Sequence, residues 1–166
     1  MQEPKIIHKD RFRVVGITCR STMQTNTIPA LWDTFNRTVC AKVPGAKDMK
    51  AALGVCYYEE MDNMTADTPF TYMAGFEVSD QYVLPEGLSE RIIPAADYAV
   101  FDHIGSLDTL GDTYSAIYRD WMPESGYDRL VADDMELYDE RFKYGEPDSV
   151  MEIWVPIKKK YFEALL

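Results

Sequence analysis

Positive charge, cysteine and histidine are all scarce in this 166-residue chain, and each scarcity removes a class of function. Lysine and arginine number 17 against 28 aspartates and glutamates, a formal net charge of −11. The basic residues gather only at Lys158, Lys159 and Lys160. Direct nucleic-acid binding, which draws most of its affinity from phosphate neutralisation, is not expected. An acidic surface either keeps the chain in solution or draws in cationic ligands and basic proteins. The cysteines, Cys19, Cys40 and Cys56, are odd in number and form no C-x-x-C pair, so neither a disulfide framework nor a zinc site is supported. No run approaches the roughly 18 apolar residues of a membrane span, and the N-terminal stretch with Glu3, His8 and Asp10 lacks the apolar core of an export signal. A cytoplasmic location is expected, and the Asn-x-Thr triplets at Asn36 and Asn63 then carry no weight. There is no G-x-S-x-G elbow, no H-E-x-x-H and no P-loop; Gly105 to Gly111 resembles a glycine-rich loop only superficially. No metal and no cofactor is expected.

What is present is a hydrophobic fraction of 46%, enough for one domain over residues 1–166 with a real core. One element order is read twice. In the first half, an apolar run from Phe12 to Thr18 precedes Thr27-Ile28-Pro29, a helix-start signal. Ile28, Leu31, Trp32, Phe35 and Val39 then follow at helical spacing. Two strand-like runs, Leu53 to Glu59 and Pro69 to Val78, flank a polar loop from Met61 to Thr68. After a connector from Leu84 to Pro94, Tyr98 to His103 reads as a strand, and Gly105-Ser106 marks a turn and an N-cap. Leu110, Tyr114, Ile117, Tyr118 and Trp121 form a second helical stripe, followed by two more strands. The order predicts an α+β fold of duplicated strand-helix-strand-strand units, about 5–80 and 95–158. Their strands form one antiparallel sheet, and their two helices flank a ligand groove.

The last two strands carry the candidate chemistry. In Val150 to Pro156, Glu152 and Trp154 share one face while Met151, Ile153 and Val155 share the other. Glu152 either faces solvent or lines a concave aromatic site, where an unpartnered carboxylate is costly and poised for a cation or a proton. Met135 to Asp139 repeats the arrangement with Glu136 and Tyr138. The stretch from Phe142 to Ser149, with Gly145 and Pro147, lets the two strands pair, so that both glutamates and both rings could share a face. Candidate ring walls are Trp32, Tyr57, Tyr72, Phe76, Tyr114, Tyr118, Trp121, Tyr138 and Trp154, with ordinary core packing as the alternative for each. Of the two histidines, His103 reads as a turn-side residue rather than a base.

The chain resembles the GyrI-like, or AraC effector-binding, small-molecule-binding domain family of bacteria. The resemblance rests on Ile28-Pro29-Ala30-Leu31-Trp32, Gly54-Val55-Cys56-Tyr57, Ala74-Gly75-Phe76-Glu77-Val78 and Tyr98 to Gly105. It continues through Trp121 to Tyr127, Glu136-Leu137-Tyr138 and Glu152-Ile153-Trp154-Val155-Pro156. It implies paired strand-helix-strand-strand units with a groove in which a glutamate and rings hold cationic aromatic compounds. Those roles would fall on Glu152 and Trp154, with Glu136 and Tyr138 as the second pair. Many relatives carry the domain behind a DNA-binding helix-turn-helix; here the ligand domain begins almost at residue 1, so a complete transcription factor is not expected. Stand-alone relatives include a gyrase inhibitor and hydrolases that open the cyclopropane of DNA-alkylating natural products. The resulting expectation is a small-molecule binder acting by sequestration or detoxification. In the hydrolase alternative Glu152 and Glu136 would be catalytic. DNA gyrase is a conceivable partner that no motif supports.

Overall fold

The computed structural model describes residues 2–58, 65 and 67–160. Its elements run β1 (Lys5–Lys9), β2 (Phe12–Ser21), α1 (Ile28–Thr34), β3 (Ala52–Tyr57), β4 (Phe70–Val78), β5 (Ser89–Ile93), β6 (Ala96–Ile104), α2 (Leu110–Ala116), β7 (Tyr127–Arg129), β8 (Asp134–Tyr138) and β9 (Val150–Lys159). The expected duplication is there: β2-α1-β3-β4 and β6-α2-β8-β9. Its strands form one antiparallel sheet in the order β1-β6-β9-β8-β3-β4-β2-β5, with β7 added against β9. Within each unit the third strand lies between the first and second, and the two second strands, β3 and β8, pair at the centre.

β1 and β5 fall outside the sequence expectation, the latter inside the Leu84-to-Pro94 connector. Each pairs with the opposite unit: β1 with β6, and β5 with β2. Two residues join β1 to β2 and two join β5 to β6, so the sheet's ends stand within about 11 Å of each other, three Cα steps. The sheet therefore curls without closing. Its inner face holds one cluster drawn from both units, including Phe12, Val14, Val55, Met73, Ile93, Tyr98 and Met135. Its outer face carries two, one under each helix: Phe35, Val39, Tyr72 and Phe76 beneath α1, and Phe101, Ile117, Met151 and Ile153 beneath α2. Between them, over β3 and β8, runs a seam.

Both helices are short and both continue as five-residue π-helical segments, Phe35–Val39 and Ile117–Trp121. Each segment opens on a fully buried side chain, Phe35 or Ile117, seven residues after the helix start. The widened turn keeps that side chain on the sheet. Ser106 caps as expected, accepting from the Asp108 N–H. Thr27 does not cap α1; its hydroxyl instead donates to the Arg20 carbonyl at 3.0 Å. Glu59 and residues 61–64 of the expected loop lie outside the described residues. His103 lies one residue before the end of β6 and bonds to the turn that follows, but it is buried. It is 2% exposed within β6, its Nε2–H donating to the Ser106 carbonyl (3.0 Å), which leaves Nδ1 to accept from the Thr113 hydroxyl (2.8 Å). It ties β6 to α2.

The register of the β8–β9 hairpin corrects the expected convergence of the two glutamates. Met135 pairs with Trp154, Glu136 with Ile153 and Leu137 with Glu152. Because side chains alternate, this offset of one residue sends Glu136 and Tyr138 to the outer face and Glu152 and Trp154 to the inner one. There Glu152 is 9% exposed and neutralised: Arg141 Nη2 donates to its Oε1 (2.7 Å) and Trp154 Nε1 to its Oε2 (2.9 Å). The same guanidinium holds Asp139 at 2.7 Å and Asp102 at 3.6 Å. Removing it would leave a buried carboxylate with one neutral donor beside two further acids. We expect Arg141→Ala to cost about 2–3 kcal/mol of stability in urea denaturation, well beyond an exposed ion pair's usual 1 kcal/mol or less.

Candidate functional site

Glu136 stands on the seam, on β8 and directly opposite Gly54 of β3. Three tyrosine hydroxyls donate to its carboxylate: Tyr72 (2.6 Å) and Tyr138 (2.8 Å) to Oε2, and Tyr114 (3.0 Å) to Oε1. One comes from β4, one from β8 and one from α2, so both units build the site. Burial, reinforced by the negative charge of Glu136, lifts all three phenols well above their ordinary pKa. They stay protonated and act as fixed donors. Trp32 of α1 completes the ring, donating from Nε1 to the Tyr72 hydroxyl (3.2 Å) and packing edge-on to Tyr138 at 4.8 Å. Trp32 and Tyr114 each lie four residues after their helix's first residue. The duplicated fold thus aims one ring from each helix at the same carboxylate.

Gly54 was not expected here, and its role is spatial. A Cβ at this position would lie 1.9 Å from the Tyr72 hydroxyl and 3.1 Å from Glu136 Oε2. Only a missing side chain lets the hydroxyl and the carboxylate meet. A glycine interrupting the strand pattern Leu53-Gly54-Val55 is the signal that could have found it.

No lysine, arginine or histidine among the described residues comes within 4.0 Å of Glu136. The carboxylate is hydrogen-bonded but not neutralised. Trp32, Tyr114, Tyr118, Glu136 and Tyr138 all keep partial exposure, so the ring-walled site around the charge is not sealed from solvent. Tyr118 continues the wall, stacked on Tyr114 at 6.5 Å. Further along the seam, Arg129 donates from Nη2 to Asp134 Oδ2, with its guanidinium 5.5 Å from the Tyr118 ring. Burial pushes the Asp134 carboxyl up to about 6 despite that partner. It also raises the nearby Cys56 thiol, which Asp134 and Glu136 push further the same way. Among the described residues no group of three or more His, Cys, Asp or Glu is placed to hold a metal ion.

Of the residues singled out in the sequence, Glu136, Tyr138, Tyr114, Tyr118, Trp32 and Tyr72 come together. Glu152, Trp154 and Tyr57 lie on the inner face. Tyr57 packs beneath the Arg91 guanidinium (3.9 Å). Trp154 packs edge-on to Tyr98 (5.7 Å) and lines a separate cavity of about 210 Å³ with Phe12, Leu53, Met135 and Leu137. Phe76 and Trp121 are on the outer face but serve the helix-to-sheet packing, against Phe35 (5.2 Å) and Phe101 (5.1 Å).

The family model for the GyrI-like small molecule binding domain matches residues 2–158. This chain belongs to that family. It is 30% identical over 154 residues to the transcriptional regulator BrlR of Pseudomonas aeruginosa, covering 92% of this chain and 54% of the regulator. It thus spans about half that relative's length. A DNA gyrase inhibitor of Yersinia enterocolitica is 32% identical over 130 residues, 74% of this chain and 77% of the inhibitor. The fold is that of SAV2435, solved bound to tetraphenylphosphonium, with a TM-score of 0.74 at 17% identity, covering 95% of this chain and 94% of that one. No helix among the described residues is long and apolar enough to cross a membrane.

Two outcomes test the site. In Gly54→Ala the Tyr72 hydroxyl must leave Glu136, and because Trp32 donates to that hydroxyl, tryptophan emission should shift while stability falls by about 1–3 kcal/mol. The Asp134 carboxyl, normally near 3.8, is raised to about 6 in the fold. The native state therefore holds this proton more tightly than the unfolded chain. Its contribution is complete below about pH 4 and lost as pH rises through about 6. Urea midpoints of the parent should show that downward slope, and those of Asp134→Asn should lack it.

Proposed function

We propose that this domain binds aromatic cations in the cleft between α1 and α2, and that its purpose is to sequester them. The observation that carries this reading is the Glu136 carboxylate, held by three neutral phenol donors with no cation beside it among the described residues. A carboxylate in a partly buried, ring-lined cleft keeps its charge available, and an incoming cation gains both that charge and the ring faces, about 1–3 kcal/mol per good contact. The hydroxyls also fix the carboxylate before the ligand arrives, which lowers the ordering cost of binding. Tetraphenylphosphonium, the compound bound to SAV2435, combines the required features of positive charge and aromatic surface. It is the natural first probe.

Titration calorimetry with tetraphenylphosphonium should show Glu136→Gln binding tenfold or more weaker, about 1.4 kcal/mol. Glu152→Gln, on the other face of the sheet, should bind within about twofold of the parent, a difference below about 0.5 kcal/mol. Undiminished affinity in Glu136→Gln would overturn the assignment. The same protein incubated with a cyclopropane-bearing alkylator should return the compound unchanged, in at most stoichiometric amount. Catalytic appearance of a product heavier by one water would replace sequestration with hydrolysis.

A further inference from the structure

Beside the Glu136 ring lies a group of polar atoms that the cation-binding reading does not use. Tyr118 Oη, Arg129 Nε and Asp134 Oδ1 are each buried and have no hydrogen-bond partner among the described residues. They form one cluster, because Arg129 donates to the other oxygen of Asp134 and lies over the Tyr118 ring. Asp134 itself is 8% exposed. A buried polar atom left without a partner costs on the order of 1–3 kcal/mol. Three in one place, all on the seam, mark a position at which a partner is missing.

The cluster is placed to serve the same ligand as Glu136. Asp134 precedes Glu136 by two residues on β8, so the two residues share the outer face with their Cα atoms about 7 Å apart. Tyr118 follows Tyr114 by one helical turn, with the rings stacked at 6.5 Å. The strand step and the helix step therefore move in parallel along the cleft, from the charged end to this second one.

We propose that Tyr118, Arg129 and Asp134 form a hydrogen-bonding subsite for an uncharged hydroxyl or amide carried by the ligand whose cation sits on Glu136. The inference rests on the cation-binding reading and names a further feature of the ligand class. The chemistry selects the group. Arg129 Nε–H offers a donor, Asp134 Oδ1 an acceptor, and the Tyr118 hydroxyl either role, so the complement must both donate and accept. An anion would face Asp134 and a second cation would face Arg129. A plain hydrocarbon would leave all three atoms unpaired. Because these groups are already desolvated and held by the Arg129–Asp134 pair, the ligand meets little further cost of organising them.

The test compares (4-methylphenyl)triphenylphosphonium, a methyl-bearing relative of tetraphenylphosphonium, with (4-hydroxymethylphenyl)triphenylphosphonium, which adds one hydroxyl to that methyl group and keeps the cation. Calorimetry at pH 7 on the full chain gives the ratio of the two affinities. In the parent the hydroxyl compound should bind about fivefold or more tighter, the size of one net hydrogen bond. In Tyr118→Phe and in Asp134→Ala the ratio should fall to about one. Tyr118→Phe should melt at or above the parent's temperature, since its hydroxyl has no partner among the described residues to lose, so it remains a fair test should the Asp134 variant fold poorly. Equal affinities in the parent, with both compounds bound, would overturn the subsite alone, and interior water would then be what satisfies these atoms. A parental ratio that persists in Tyr118→Phe would also overturn it. Failure of both compounds to bind the parent would overturn the cation-binding reading and the subsite with it.

Discussion

The pairing of β3 with β8 is the constraint on which the rest of this domain depends. It joins the two units into one sheet, and its register places Gly54 opposite Glu136. The Tyr72 hydroxyl, which donates to that carboxylate, occupies the space that a side chain at residue 54 would need. A slip of one residue would turn Glu136 and Tyr138 to the inner face and present Met135 and Leu137 to the cleft. The hydroxyls of Tyr72 and Tyr114 would then have no acceptor there. The inner core also depends on this register, because Met135 and Val55 come from these strands and pack with Phe12, Ile93 and Tyr98 from the curled ends.

The two similar glutamate motifs meet opposite electrostatic conditions. Glu152, on the inner face, is compensated by Arg141 and contributes to holding the β8–β9 hairpin. Glu136, on the outer face, is surrounded by neutral donors that stabilise its position but cancel none of its charge. Both carboxylates are hydrogen-bonded, so local satisfaction does not distinguish them. What distinguishes them is whether a cation of the protein is within reach.

The internal duplication explains how such a site arises and where it departs from symmetry. Each helix starts, carries a ring four residues later and widens into a π segment at the same position, so each unit delivers an aromatic to the seam. Two identical units would place either two glycines or two glutamates at the paired central position. Here one unit supplies the space and the other the charge. The same asymmetry extends along the seam: Cys56 of β3 pairs with Asp134 of β8, again a small side chain opposite a carboxylate.

Much of the fold was legible in the chain because helical and strand periods are local. The stripes Ile28-Leu31-Trp32-Phe35-Val39 and Leu110-Tyr114-Ile117-Tyr118-Trp121, and the strands between and after them, read out as a duplicated order. The edge strands Lys5–Lys9 and Ser89–Ile93 did not, since their partners belong to the opposite unit and leave no local signature. For the site, residue types were readable and their meeting was not. Glu136, Tyr138, Tyr114, Tyr118, Trp32 and Tyr72 stood among the candidates by chemistry alone. So did Glu152, Trp154 and Tyr57, which the sheet turns away. Sequence determines which side chains alternate within one strand; the hydrogen-bond register between strands decides which of two equivalent faces each set occupies. That register is a long-range choice made by the whole core. Only the folded sheet therefore separated a carboxylate neutralised by Arg141 from one held among phenol donors.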